Sequence, residues 1–157
     1  MSETNGSITR RQFCAEACQA ASGLTLAMLI SGCGEGSPTS PSSMAATLGR
    51  VSGRLAGSTV QVTVAGSPLA NVGSAALVES TGGVFLVSRT AVNSFTAIDA
   101  VCTHEGCTID GATDSEYVCP CHGSRYNRNG QVVQGPAKAA LRQYGTTVAD
   151  GVVTIAL

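Results

Sequence analysis

Residues 102–107 read CTHEGC and residues 119–124 read CPCHGS, and these two segments hold the chain's only two histidines. Each offers one cysteine and one histidine within reach of a single metal: Cys102 with His104, and Cys119 with His122. Each also carries one further cysteine, Cys107 or Cys121. Two thiols and two imidazoles can hold a tetrahedral structural zinc, but zinc fingers bring their ligands as C-x2-4-C and H-x3-5-H pairs. Here the pairs are C-x-H and C-x2-H, with two extra thiols in the loops. A scaffold of disulfides alone explains the cysteines and leaves both histidines without a role.

The paired segments resemble those of the Rieske 2Fe-2S proteins, in which one iron is held by two thiolates and the other by two imidazoles. By that resemblance Cys102 and Cys119 hold one iron, and His104 and His122 the other. The residue types suit an electron carrier. Four thiolates, two ferric ions and two sulfides sum to minus two, whereas exchanging two thiolates for neutral imidazoles leaves the oxidised centre neutral. An added electron then meets less negative charge, and potentials rise from about −400 mV to between about −150 and +300 mV.

Further expectations follow from the same resemblance. In the high-potential branch, which includes the cytochrome bc and bf proteins and many arsenite oxidase small subunits, a disulfide joins the two loops; Cys107 and Cys121 are its counterparts. Such a bond persists in oxidising compartments. Ser124 and Tyr126, in the run SRYN, match hydroxyls that donate to a bridging sulfide and to the sulfur of Cys102. GPAKAAL at 135–141 resembles the loop that covers the cluster, with Lys138 where the family often has a second proline. Glu105 stands where quinol-oxidising members carry an apolar residue. A charge there is costly to bury in an apolar socket and favours a polar or basic docking partner. Fourteen residues separate His104 from Cys119, a compact interval.

The chain begins with an export pattern. ITRRQF at 8–13 places Arg10 and Arg11 two positions before Phe13, as in a twin-arginine signal, and residues 20–30 form a modest apolar run. Eleven residues are short of the roughly twenty that span a bilayer. The run ends in Leu29, Ile30, Ser31, Gly32 and Cys33, which resembles a lipoprotein cleavage box, so a lipid anchor on Cys33 is the expectation and an uncleaved N-terminal anchor the alternative. Residues 1–33 are thus read as signal and 34–47, rich in Gly, Ser and Pro, as a flexible tether of mean span on the order of 20 Å.

Residues 48–157 are one small domain's worth of chain. Val60, Val62 and Val64 alternate with Gln61 and Thr63; Val84 to Val87 form an apolar run; Asp150-Gly151 and Asn129-Gly130 mark hairpins. Sustained helical periodicity is absent from this stretch. The expectation is an all-β fold, a small antiparallel sandwich or barrel with the two cysteine loops at one tip, in agreement with the resemblance.

Nine basic residues against ten acidic give no general attraction to nucleic acid, and the chain has no Trp. Once His104 and His122 are used, no histidine remains for the mononuclear iron of a Rieske oxygenase, so no substrate site of its own is expected. The sequence therefore reads as an exported, membrane-tethered electron-transfer protein on the periplasmic side of a bacterial membrane, with a 2Fe-2S cluster. Its partners would be a cytochrome or an oxidoreductase subunit, and a quinol if it serves a quinol-cytochrome c oxidoreductase.

Overall fold

The structure, a computed structural model, describes residues 45–157. Fourteen strands form three sheets: β1(Ala46–Thr47), β2(Gly49–Ser52), β3(Arg54–Ala56), β4(Thr59–Thr63), β5(Ala75–Ser80), β6(Gly83–Ala91), β7(Ser94–Asp99), β8(Gly111–Ala112), β9(Glu116–Val118), β10(Arg125–Asn127), β11(Val132–Gln134), β12(Gln143–Tyr144), β13(Thr146–Ala149) and β14(Val152–Ala156). The expected all-β class holds, with no helix among the described residues.

The middle sheet, in the order β12-β7-β6-β5-β2, is covered on both faces. Leu77, Leu86 and Ile98 point into one buried cluster, while Ala76, Val78, Phe85, Val87 and Ala97 point into another. A strand buried on both faces cannot afford polar alternation, which is why β6 runs through Phe85, Leu86 and Val87 without a break. The second cluster is closed by the sheet β13-β14-β4-β3, whose Val60, Val62, Val153 and Ile155 face inward. On β4 the intervening Gln61 is half-buried, so the period-2 pattern describes a strand with one dry face. Asp150 and Gly151 close the β13–β14 hairpin with φ of 50° and 73°, the left-handed pair that a two-residue turn requires.

The third sheet, β1-β8-β9-β10-β11, lies against the first cluster and carries the cysteine segments in its connections. Residues 100–110 lead from β7 to β8, and residues 119–124 form the turn between β9 and β10. Two features depart from the sequence reading. β2 pairs with β5 in parallel, so the middle sheet is mixed and not wholly antiparallel. Ala46 and Thr47, read as the end of the tether, pair as a strand with Ala112 and Gly111. A two-residue strand with both side chains exposed has no hydrophobic signature to read. The twin-arginine pattern, Cys33 and the rest of the tether up to residue 44 lie outside the described residues.

Candidate metal centre

The two segments fold into the same kind of turn. In the first, Cys102 N–H donates to Cys107 C=O at 2.8 Å and Gly106 N–H to Cys102 C=O at 2.9 Å. In the second, Cys119 N–H donates to Ser124 C=O at 2.8 Å and Gly123 N–H to Cys119 C=O at 3.0 Å. The fifth residue of each turn must enter the left-handed region to send its amide back, and both are glycines, at φ 76° and 71°. Each turn buries its first cysteine and lifts its histidine outward. Cys102 and Cys119 are 2% and 1% exposed, while the His104 and His122 side chains are 28% and 47% exposed.

Across the two turns the four side chains meet in like pairs. The Cys102 and Cys119 thiols are both buried and unbridged, and each shifts the other's ionisation. The imidazole rings stand edge to face, centroids 4.9 Å apart. Cys107 and Cys121 form the expected disulfide across the loops, with Cα atoms 6.5 Å apart. Glu105 sits at the outer edge, its carboxylate 3.9 Å from His104 Nε2 and 3.6 Å from His122 Nδ1. Although Cys107, Cys119 and Cys121 also converge, two of them are spent in the disulfide and offer no thiolate to a metal.

Beneath the sulfurs lies a polar lattice. Tyr126, wholly buried on β10, brings its hydroxyl to 3.3 Å from Cys102 Sγ. The same oxygen accepts Thr103 N–H at 3.2 Å and lies 3.0 Å from Thr103 Oγ1, whose proton goes to Ala139 C=O at 2.6 Å. With that proton committed, Thr103 Oγ1 can only accept from the tyrosyl hydroxyl, so the tyrosyl proton has two acceptors, Thr103 Oγ1 and Cys102 Sγ, of which a thiolate is the stronger. The buried Ser124 hydroxyl accepts Ala137 N–H at 3.0 Å, tying residues 135–139 down over the site. Thr103 went unnoticed in the sequence; the only signal was a hydroxyl residue between the first cysteine and histidine.

This lattice splits the two thiols. Burial pushes the Cys102 thiol up, but hydrogen bonds from the Tyr126 hydroxyl, the His104 amide and the Cys119 and Ser124 side chains outweigh it and hold Cys102 below the usual cysteine value. Burial raises Cys119, and so does its neighbour Cys102, whose proximity disfavours a second thiolate. Tyr126 is raised by burial and by its bond to Cys102, so it stays a protonated donor. His104 Nδ1 is buried without a hydrogen-bond partner, an arrangement that is costly unless something absent from the polypeptide completes it. Two thiols beside two imidazoles, one with an orphaned inward nitrogen, fit a centre with mixed sulfur and nitrogen ligation.

The Rieske [2Fe-2S] domain model matches residues 51–145, more than half of the 157-residue chain. The chain belongs to the Rieske [2Fe-2S] domain family. Its cofactor is accordingly a 2Fe-2S cluster, and the zinc alternative is set aside. The chain is similar to the cytochrome b6-f complex iron-sulfur subunit of Chlorobaculum tepidum, 39% identical over 66 residues that make up 41% of this chain and 36% of that protein. It is also similar to cytochrome b6-f complex iron-sulfur subunit 2 of Synechocystis, 50% identical over 54 residues, 34% of this chain and 30% of that one. The matches thus span about a third of these relatives' own length. A solved complex of reduced oxygenase and oxidized ferredoxin in carbazole 1,9a-dioxygenase includes a chain that shares the fold, at 22% identity and a TM-score of 0.52, covering 63% of this chain and 93% of that one. The chain is therefore a Rieske-domain protein with sequence similarity to cytochrome b6-f iron-sulfur subunits.

Proposed function

We propose that Cys102 and Cys119 hold one iron of the cluster and His104 and His122 the other, and that the protein passes single electrons to a partner through the half-exposed histidine edge. The observation that carries this reading is the sorting of the donors: two buried, unbridged thiols behind two outward imidazoles. When bound, the cluster supplies reversible one-electron oxidation and reduction at a raised potential. The polypeptide does the rest. Cys102 and Cys119, buried under residues 135–139, keep the sulfur side dry. The Tyr126 hydroxyl donates to Cys102 Sγ, and the Ser124 hydroxyl lies against the same sulfur side; both favour the more negative, reduced state. With the cluster bound, the free ring nitrogens of His104 and His122 would release protons more readily beside ferric iron, so the potential would fall as pH rises. The disulfide holds the two turns in register.

The working place of the protein is proposed from residues 1–47: a twin-arginine-type signal, a lipid anchor on Cys33 and a Gly/Ser/Pro tether would let the domain move along the periplasmic face of a membrane. Twin-arginine export carries folded proteins and so can move a protein whose cluster was assembled inside the cell. The donor and acceptor would be a periplasmic oxidoreductase or a quinol on one side and a cytochrome on the other. The relatives' place in cytochrome b6-f complexes favours a second reading, the Rieske subunit of a quinol-oxidising complex with a retained N-terminal anchor. Against it stands Glu105, a 59% exposed carboxylate at the tip that would have to enter an apolar socket.

The test is a redox titration of the purified protein followed by electron paramagnetic resonance at several pH values. A rhombic Rieske-type signal at positive potential, falling with pH, is the expected result. A signal formed only under strong reductant would remove the high-potential reading. Copurification after mild detergent extraction then separates the partners: a cytochrome b points to the quinol-oxidising complex, a soluble haem protein or molybdenum subunit to the shuttle.

A further inference from the structure

Across the tip the charges have an order that no part of the proposed electron transfer requires. Glu105 lies within 4 Å of both imidazoles, and its only charge partners among the described residues are those histidines. Residues Thr103, His104, Pro136, Ala137, Lys138 and Ala139 line an open cleft of about 470 Å³ beside His104. Lys138 is exposed there and is paired with no carboxylate among the described residues. Arg50 pairs with Glu79 and Asp110, Arg125 with Glu116, and Arg128 with the carbonyls of Thr113 and Asp114, whereas Lys138 stands beside a histidine. Two charges of opposite sign, neither paired with an oppositely charged Lys, Arg, Asp or Glu among the described residues, thus both neighbour His104: Glu105 through its carboxylate and Lys138 through the shared cleft.

We propose that this tip is a two-sign docking surface for a water-soluble redox protein, one whose redox group emerges between a lysine or arginine that seats against Glu105 and a carboxylate that seats in the cleft against Lys138. The argument is charge complementarity at the electron exit. A partner with one sign of charge gains from one residue and loses from the other, whereas a mixed rim gains from both and docks in one orientation, with its redox group over the histidine edge. An apolar socket would have to desolvate both charges without partners. The cleft beside Lys138 has the volume to admit a side chain, and the Glu105 side chain is 59% exposed, so both charges are accessible to a partner.

The inference rests on the proposed histidine edge, and the experiment separates the two. The full chain with its cluster in place is reduced and then oxidised in a stopped-flow instrument by two charged probes, tris(phenanthroline)cobalt(III) as the cation and hexacyanoferrate(III) as the anion. Wild type is compared with Glu105→Gln and Lys138→Gln, with rates corrected for each variant's measured potential. The expected pattern is crossed: Glu105→Gln slows the cation about fivefold at low ionic strength and leaves the anion unslowed, and Lys138→Gln does the reverse. Both effects should fade by physiological salt, where the screening length is about 8 Å. Rates indifferent to both substitutions and to salt, as an apolar docking face would give, overturn the inference. So does a uniform change with both probes. Absence of the rhombic resonance in cluster-loaded wild type would overturn the ligand assignment, and the docking surface with it.

Discussion

Replacing Tyr126 with Phe removes one oxygen from a wholly buried ring and leaves the ring in the buried cluster it shares with Cys102, Ile109 and Leu141. Three contacts go with it: the 3.3 Å approach to Cys102 Sγ and the two contacts to Thr103. A hydrogen bond to a charged acceptor contributes about 1.5–3 kcal/mol. Sulfur carries charge in both oxidation states and only more of it in the reduced one, so about 1 kcal/mol of that is differential. A one-electron couple moves 59 mV per tenfold, which makes the loss about 40 mV, downward, because the more negative state loses its donor. The assay is a resonance-monitored titration of wild type and variant at one pH. An unchanged midpoint, or a rise, would refute the claim that the tyrosyl proton points at Cys102. Stability is a separate readout. Thr103 N–H loses its acceptor, and the chemical-denaturation midpoint should fall by an amount equivalent to about 1 kcal/mol.

The other expected outcomes follow from the same site. In metal-free protein, titration of thiolate ultraviolet absorbance should show Cys102 ionising below, and Cys119 above, the usual cysteine value, with Tyr126→Phe drawing Cys102 back up; a single unsplit step would contradict the lattice. The linkage has a sign. Cys102, depressed on folding, adds stability that is complete above the unfolded cysteine value and is lost as pH falls through its folded value, while Cys119, raised on folding, adds stability that is lost as pH climbs through its folded value. Exchanging both Cys107 and Cys121 for Ser opens a bridge between residues 14 apart and should lower stability by about 3 kcal/mol in denaturant, and a loss under 1 kcal/mol would mean the hydrogen-bonded turns hold the loops unaided. Gly106→Ala meets nothing within 4 Å, so its cost should be purely conformational, about 1–2 kcal/mol, with the resonance unchanged in shape.

The two cysteine loops proposed to hold the cluster were readable in the sequence for a physical reason: iron–sulfur chemistry accepts few residue types, and the turns need glycine at one fixed place, so CTHEG and CPCHG join candidate ligands to a conformation the structure shows. The hydrophobic framework was partly readable. Strands with one dry face, such as β4, show their alternation, and tight hairpins announce themselves through Asp150-Gly151. What the sequence withheld was anything set by long-range pairing. The parallel match of β2 with β5 and the two-residue β1 depend on partners 27 and 66 residues away, as Gly49 with Ala76 and Ala46 with Ala112 show, and no local pattern encodes such a choice. Thr103 belongs to the same class. Its value comes from standing between Tyr126, on β10, and Ala139, in the loop after β11, where it shares the hydroxyl that reaches the Cys102 sulfur. The chain thus writes the metal's demands locally and the tuning of the metal non-locally. Variation at Thr103, Ser124 and Tyr126 should therefore move the potential without touching the ligands, whereas variation at Glu105 and Lys138 moves the choice of partner.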